Sequence, residues 1–246
     1  MEYYVLASGS AGNSTFIKFK EKGILIDCGI SRKQLVYRLE KCGYQLKDID
    51  YVFLTHDHFD HNKNIHLFEK RIIYAGKDCV DDLPEQQIFQ PYQPITFASL
   101  SIIPLPLSHD ATCCFGFVFL EDNQKLVYVT DTGYVSSKNA SYMQNANYYI
   151  IESNHDISML MNTKRPMYLK NRILSDYGHL SNLDSAHLIA RLIGNQTKEI
   201  VLAHLSREAN TPELALETYR RMISDDHIDI KVASQIEVVG GGNSEN

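Results

Sequence analysis

The alternation of apolar and polar positions divides the chain into short strands with helices between them. Residues 3–7 read as a first strand, and residues 14–19 alternate as a half-buried strand does. Glu21, Lys22 and Gly23 then turn the chain back into a third strand over 24–27. Ser31 predicts the N-cap of a helix carrying Leu35 and Leu39 on one face, with Gly43 as its stop. Residues 51–54 form a short apolar run suited to a strand buried on both faces, and they lead directly into a histidine-rich loop. A strand over 101–107 follows, pushed toward a sheet edge by Pro104 and Pro106. Residues 115–120 and 125–130 make the clearest hairpin.

The second half continues in the same style. A polar helix near 136–146 precedes an apolar strand over 148–151, and residues 156–177 have a mixed, basic, helix-like character. Residues 182–192 predict a capped helix with Ala186, Ile189 and Ala190 facing inward. A strand over 200–202, a helix over 212–224 and a strand over 230–233 complete the order. Strands come in blocks with helices around them, which predicts an α/β fold of two mixed sheets packed face to face with helices outside. With no long linker and no repeat, residues 1–239 read as a single domain and residues 240–246 as a flexible tail.

Composition narrows the function. The 246 residues carry a net charge of -6, the wrong sign for coating nucleic acid with the whole surface, so an anionic substrate must be attracted locally. Five cysteines form an odd set with no CxxC spacing, which argues against a disulfide framework or zinc ribbon and fits a reducing cytoplasm. The opening residues lack the basic and apolar regions of a signal peptide. The longest apolar stretch, residues 113–120, is too short to span a bilayer, so no membrane partner is expected.

The loop after the fourth strand spells HxHxDH with His56, His58, Asp60 and His61. Residues two apart leave a strand end on the same side, so His56 and His58 can grip one ion while Asp60 and His61 grip a second. Imidazole with carboxylate suits Zn²⁺ and tolerates Mn²⁺ or Fe²⁺. Further ligands should stand at other strand ends, and His109, Asp131 and His204 each follow a predicted strand. Two divalent ions set against Asp60, Asp131 and one hydroxide leave roughly one positive charge, a local attraction for a phosphodiester. Such ions lower the pKa of water to about 7 and stabilise both attacking and leaving oxygens.

The order Asp27, HxHxDH, His109, Asp131, His204 resembles the five motifs of the metallo-β-lactamase superfamily. That resemblance implies an αββα sandwich with two divalent metal ions at the sheet edges. His56, His58 and His109 would hold the first metal, Asp60, His61 and His204 the second, with Asp131 bridging and Asp27 orienting the loop. The β-lactamases lack the last histidine of HxHxDH, and many have cysteine where Asp131 stands, which points away from antibiotic hydrolysis and toward phosphodiesterases.

The stretches from Ser8 to Asn13, from Glu152 to Asp156 and from Gly178 to Asn182 resemble the YycJ/WalJ-type proteins, and the matches run on to Arg207. These are regarded as 5′–3′ exonucleases acting on DNA. Paired asparagines expected after Glu208 are Ala209 and Asn210 here. The segment from Gly178 to Ser181 is also similar to the GHxT/S element of ribonuclease Z, which implies that His179 is a general acid, with Asp60 beside it in catalysis.

Several readings stay open from sequence. His179 could instead be a helix-start histidine bound to backbone. Glu152 and His155 could fix a ligand's tautomer or form a buried structural pair. The loop that ends at Asn13 could cradle a phosphate or be a plain turn. Lys164, Arg165, Lys170 and Arg172 could contact nucleic-acid phosphates, and Tyr168 and Tyr177 could stack on bases. A thioesterase or lactonase of the same fold, and a non-catalytic regulator, are the competing functions. Assembly with copies of itself is left open.

Overall fold

The structure, a computed structural model, describes residues 1–242. Its first half supplies five strands of a six-stranded sheet. Strands β1 (Glu2–Ala7), β2 (Ser14–Lys18) and β3 (Gly23–Ile26) run as an antiparallel meander, and helix α1 (Arg32–Lys41) crosses to β4 (Tyr51–Phe53), parallel to β3. Ser31 caps α1 by accepting from the Gln34 amide, as its position predicts. The four-residue helix α2 (Phe59–Asn62) and the short strand β5 (Ile73–Tyr74) complete this half.

The second half begins with β6 (Ile95–Phe97) and β7 (Leu100–Pro106) and continues with the hairpin β8 (Phe115–Glu121) and β9 (Gln124–Val129). Helix α3 (Ser137–Met143) leads to β10 (Tyr148–Glu152), and two short helices follow, α4 (Ile157–Asn162) and α5 (Met167–Ile173). Then come α6 (Asn182–Leu192), β11 (Glu199–Ala203), α7 (Pro212–Met222), β12 (Asp229–Val232) and β13 (Val239–Gly242). The sheet orders are β13-β1-β2-β3-β4-β5 and β12-β11-β10-β9-β8-β7-β6.

The period of two along each strand builds the layers. Tyr3 and Val5 of β1, Ile24 and Ile26 of β3, Leu126 and Tyr128 of β9, and Tyr148 and Ile150 of β10 all enter one core between the sheets. Their neighbours in sequence face outward: Leu6 and Leu25 pack under Leu35 and Leu39 of α1, and Val127, Tyr149 and Ile151 pack under α6 and α7. The result is the expected αββα sandwich.

Two expectations need correction. The sheet edge falls to β6, too short to show any period, although β7 pairs with it only from Leu100 to Ile102, so Pro104 and Pro106 do lie beyond that ladder. The basic stretch 156–177 is helical as expected, in two helices parted at Pro166, which stands at the N-cap of α5. Residues 240–242 are not a frayed tail, because Val239–Gly242 pairs antiparallel with β1 and covers its open edge. Glycine is what permits this: a Cβ at Gly241 would fall 2.3 Å from the Tyr3 hydroxyl and 2.0 Å from Glu199 Oε2. The remaining tail residues, 243–246, lie outside the described residues.

A chain ending at Val238 should therefore lose about 2 kcal/mol of unfolding free energy in urea, from the lost ladder. An unchanged midpoint would mean that β13 contributes nothing.

Candidate metal centre and active site

The expected ligands come from the ends of β4, β7, β9 and β11, and the sandwich brings all of them to one rim. Donor atoms of His56, His58 and His109 lie within 4.8 Å of one another, as do those of His56, His61 and Asp131, and those of Asp60, His61 and His204. Asp131 shares a group with His56 and His61, and so lies between the other two sets. His58 is the N-cap of α2, so Asp60 and His61 are presented by a helical turn and not by the open loop expected.

Asp27, at the end of β3 and fully buried, organises this rim. Its Oδ1 accepts from the Thr55 amide at 2.8 Å, and its Oδ2 accepts from His61 Nδ1 at 2.7 Å. The Thr55 hydroxyl donates to the same carboxylate at 2.9 Å and meets His56 Nδ1 at 3.0 Å. With Nδ1 of both histidines engaged, the ring nitrogen left to each is Nε2, which fixes the tautomer that a metal requires. His109 follows the same rule, its Nδ1 lying 3.2 Å from the Gly178 carbonyl. Burial holds the pKa of His56 well below the ordinary range and lowers that of His109, so both rings are neutral ligands at pH 7.

The residues fit a divalent cation. His56 Nε2 and Asp131 Oδ2 are buried and make no hydrogen bond, a cost of about 1–3 kcal/mol each or more unless something else binds them. Ligands of one ion at ~2.1 Å stand about 3.0–3.4 Å apart. His61 Nε2 lies 3.4 Å from Asp131 Oδ2 and 3.6 Å from Asp60 Oδ2. The donor set of imidazoles and carboxylates is that of a divalent-metal site.

A second buried carboxylate, Glu152 at the end of β10, organises the opposite wall. Its Oε1 accepts from His179 Nδ1 at 2.7 Å and lies 3.1 Å from His204 Nδ1, while its Oε2 accepts from the Thr132 and Leu180 amides. Burial opposes ionisation, but the two imidazoles outweigh it and hold Glu152 down at about 2. His204 is pushed well above its ordinary range, burial being overcome by Asp131 and Glu152. His179 keeps some exposure and stands 5.1 and 5.3 Å, ring to ring, from His109 and His204. Asp27, Asp131 and His204 all have positive φ, at 59°, 57° and 55°. Non-glycine residues in this region cost about 1–3 kcal/mol each and gather at functional sites.

Other expectations are corrected here. The ring nitrogens of His155 are buried without a hydrogen-bond partner, so His155 does not orient a ligand with Glu152; His179 and His204 take that carboxylate instead. The loop from Ser8 to Asn13 is no open phosphate cradle. The Gly9, Gly12 and Asn13 amides donate within the protein, to Asn13 Oδ1, the Gly9 carbonyl and the Asp60 carbonyl. The loop braces the metal rim instead, with the Asn13 side-chain amide 2.9 Å from His61 Nε2 and the Ser8 hydroxyl accepting from the His204 amide at 2.7 Å. Lys170 is buried and caps α4, donating to the Met161 and Thr163 carbonyls. Arg165 and Arg172 do reach a cleft of about 160 Å³ beside His179 and His204, lined also by Ser10 and Asn154. Each guanidinium is paired, Arg165 with Glu208 and Arg172 with Asp110.

Sequence reasoning missed Thr55, Ser8 and Asn154, whose side-chain amide donates to the His204 carbonyl. Thr55 could have been suspected from its place between a buried strand and His56. Ser8 and Asn154 lie in stretches that carry the family resemblance, but nothing local announces their hydrogen bonds to the backbone of His204.

Two mixed sheets with imidazoles and carboxylates gathered at one rim define a metal-dependent hydrolase of the metallo-β-lactamase class. The chain belongs to that superfamily: residues 22–205 match the family described as the β-lactamase superfamily domain. It is 37% identical over 228 residues to the exodeoxyribonuclease WalJ of Streptococcus pneumoniae, covering 87% of this chain and 85% of that protein. It is 33% identical over 248 residues to the exodeoxyribonuclease YycJ of Bacillus anthracis, covering 96% and 94%. Among solved structures, the metallo-β-lactamase fold protein YhfI from Bacillus subtilis superposes with a TM-score of 0.73 over 98% of this chain and 99% of that one, at 19% identity. That last likeness shows a shared fold.

Thr55→Val keeps the shape and removes the hydroxyl that links Asp27 to both histidines. The variant should fold normally and bind Zn²⁺ about 10–100-fold more weakly in competition with a chromophoric chelator. Wild-type affinity would show that the hydroxyl does not orient the ligands.

Proposed function

We propose that the chain is a divalent-metal-dependent 5′–3′ exonuclease that hydrolyses phosphodiesters of DNA. The observation that carries this reading is the His179–Glu152 pair standing at the open side of the two ligand clusters. The exodeoxyribonucleases to which the chain is 33–37% identical over most of its length support DNA as the substrate.

In this reading His56, His58 and His109 hold one ion, Asp60, His61 and His204 hold the second, and Asp131 lies between them. The donors accept Zn²⁺ or Mn²⁺, and Fe²⁺ is compatible. When bound, such a pair supplies Lewis acidity and a water of lowered pKa. His179 donates through Nδ1 to Glu152, which leaves Nε2 to carry the proton that the leaving alkoxide requires. The buried Glu152 carboxylate fixes that orientation. Arg165 and Arg172 contact the phosphates that flank the scissile bond, exchanging their carboxylate partners for the diester. The cysteines, all free, support a reducing cytoplasm as the working compartment.

Purified chain should release nucleotides stepwise from the 5′ end of linear DNA in Mn²⁺. A chelator should abolish this, and metal should restore it. His179→Ala should lower kcat by ~10²–10⁴-fold with metal content unchanged, whereas Asp60→Ala should lose metal and activity together. Untouched DNA with efficient cleavage of acylated thiols would replace this reading with a small-molecule hydrolase.

A further inference from the structure

Outside the metal clusters, two thiols face each other across the fold. Cys79 lies in the turn after β5 and Cys113 in the loop between β7 and β8, and their Sγ atoms are 2.7 Å apart across 34 positions of sequence. Both are half-buried and free. The separation is within about 0.7 Å of the ~2.05 Å of a disulfide bond. The approach has a fitted receptacle. Cys113 Sγ lies 3.5 Å from the Lys77 carbonyl, and the Cys79 amide donates to the Gly76 carbonyl at 3.2 Å, closing the turn around the sulfur. A Cβ at Gly76 would stand 2.0 Å from Cys113 Sγ, so the turn admits the thiol only because residue 76 is glycine. The other cysteines have no such partner: Cys28 and Cys114 are buried, and Cys42 donates to the Arg38 carbonyl of its own helix.

We propose that Cys79 and Cys113 are a redox-modification site, a dithiol that closes reversibly to a disulfide. The loop that carries Cys113 also carries His109. Thr112 in that loop donates to Asp57 Oδ2 at 2.6 Å, and the Phe115 amide donates to the Thr55 carbonyl at 3.0 Å. The bond therefore anchors the ligand-bearing loops to the segment after β5. Its co-reactant is a low-molecular-weight disulfide. One protein thiolate attacks it and releases one small thiol, and the second protein thiolate then displaces the other small thiol from the mixed disulfide. The protein gives up two electrons and two protons, and the small disulfide becomes two thiols. The proposal is independent of the substrate.

The test is to treat the metal-loaded chain with glutathione disulfide, alkylate the remaining thiols and map the peptides by mass. The expected product has one Cys79–Cys113 cross-link with the other cysteines alkylated. It reverts with dithiothreitol and melts roughly 5 °C above the reduced chain. Cys79→Ser and Cys113→Ser should each abolish the cross-link and the shift, and Cys42→Ser should keep both. Glutathione left on either cysteine without a cross-link, or a cross-linked chain that melts no higher than the reduced one, would overturn the proposal.

Discussion

A carboxylate sealed from water must find its hydrogen bonds inside the protein, and Asp27 finds them in Thr55 and His61. Leaving a buried charge unpaired costs several kcal/mol, so this contact ties the end of β3 to the end of β4 and the first turn of α2. The positions of His56 and His61 follow from it. Each ring has its Nδ1 taken up within the hub, which leaves Nε2 of His56 without a partner and Nε2 of His61 beside the Asn13 amide. Burial pushes the Asp27 carboxyl up, against the pull of His61 and Thr55.

The rest of the rim extends that arrangement. Glu152 does for His179 and His204 what Asp27 does for His61, so two buried carboxylates on opposite sheets orient the imidazoles between them. The three strained residues at the ends of β3, β9 and β11 turn their side chains into the same space. Such strain persists only where the surroundings over-determine it, and here the core shared by the two sheets supplies the rigidity. The six imidazoles and three carboxylates of the clusters form a titratable interior whose orphaned atoms a divalent cation would satisfy. Glu152 also changes the charge balance read from the ligands alone. It offsets the excess positive charge that two metals would leave.

Much of this was legible along the chain. HxHxDH has local spacing, and an amphipathic period of two or a serine N-cap is local too, which is why the strands around the rim and the cap Ser31 read correctly. What failed was non-local. β13 exists because β1 has an edge to cover, and a glycine run carries no period to announce that. Lys170 and the amides of the loop that ends at Asn13 looked like phosphate contacts by residue type, but their surroundings gave them structural roles, and His155, read as a partner of Glu152, makes no hydrogen bond to it.

The sequence by itself determined the residue types that can bind a metal, the strands that deliver them and the order of both, because these depend on neighbours a few positions apart. Only the tertiary structure decided which carboxylate serves which imidazole, that Thr55 joins Asp27 to two rings, and that Cys79 meets Cys113. Those contacts join segments tens of residues apart, and their geometry is set by how two twisted sheets pack rather than by any period along the chain.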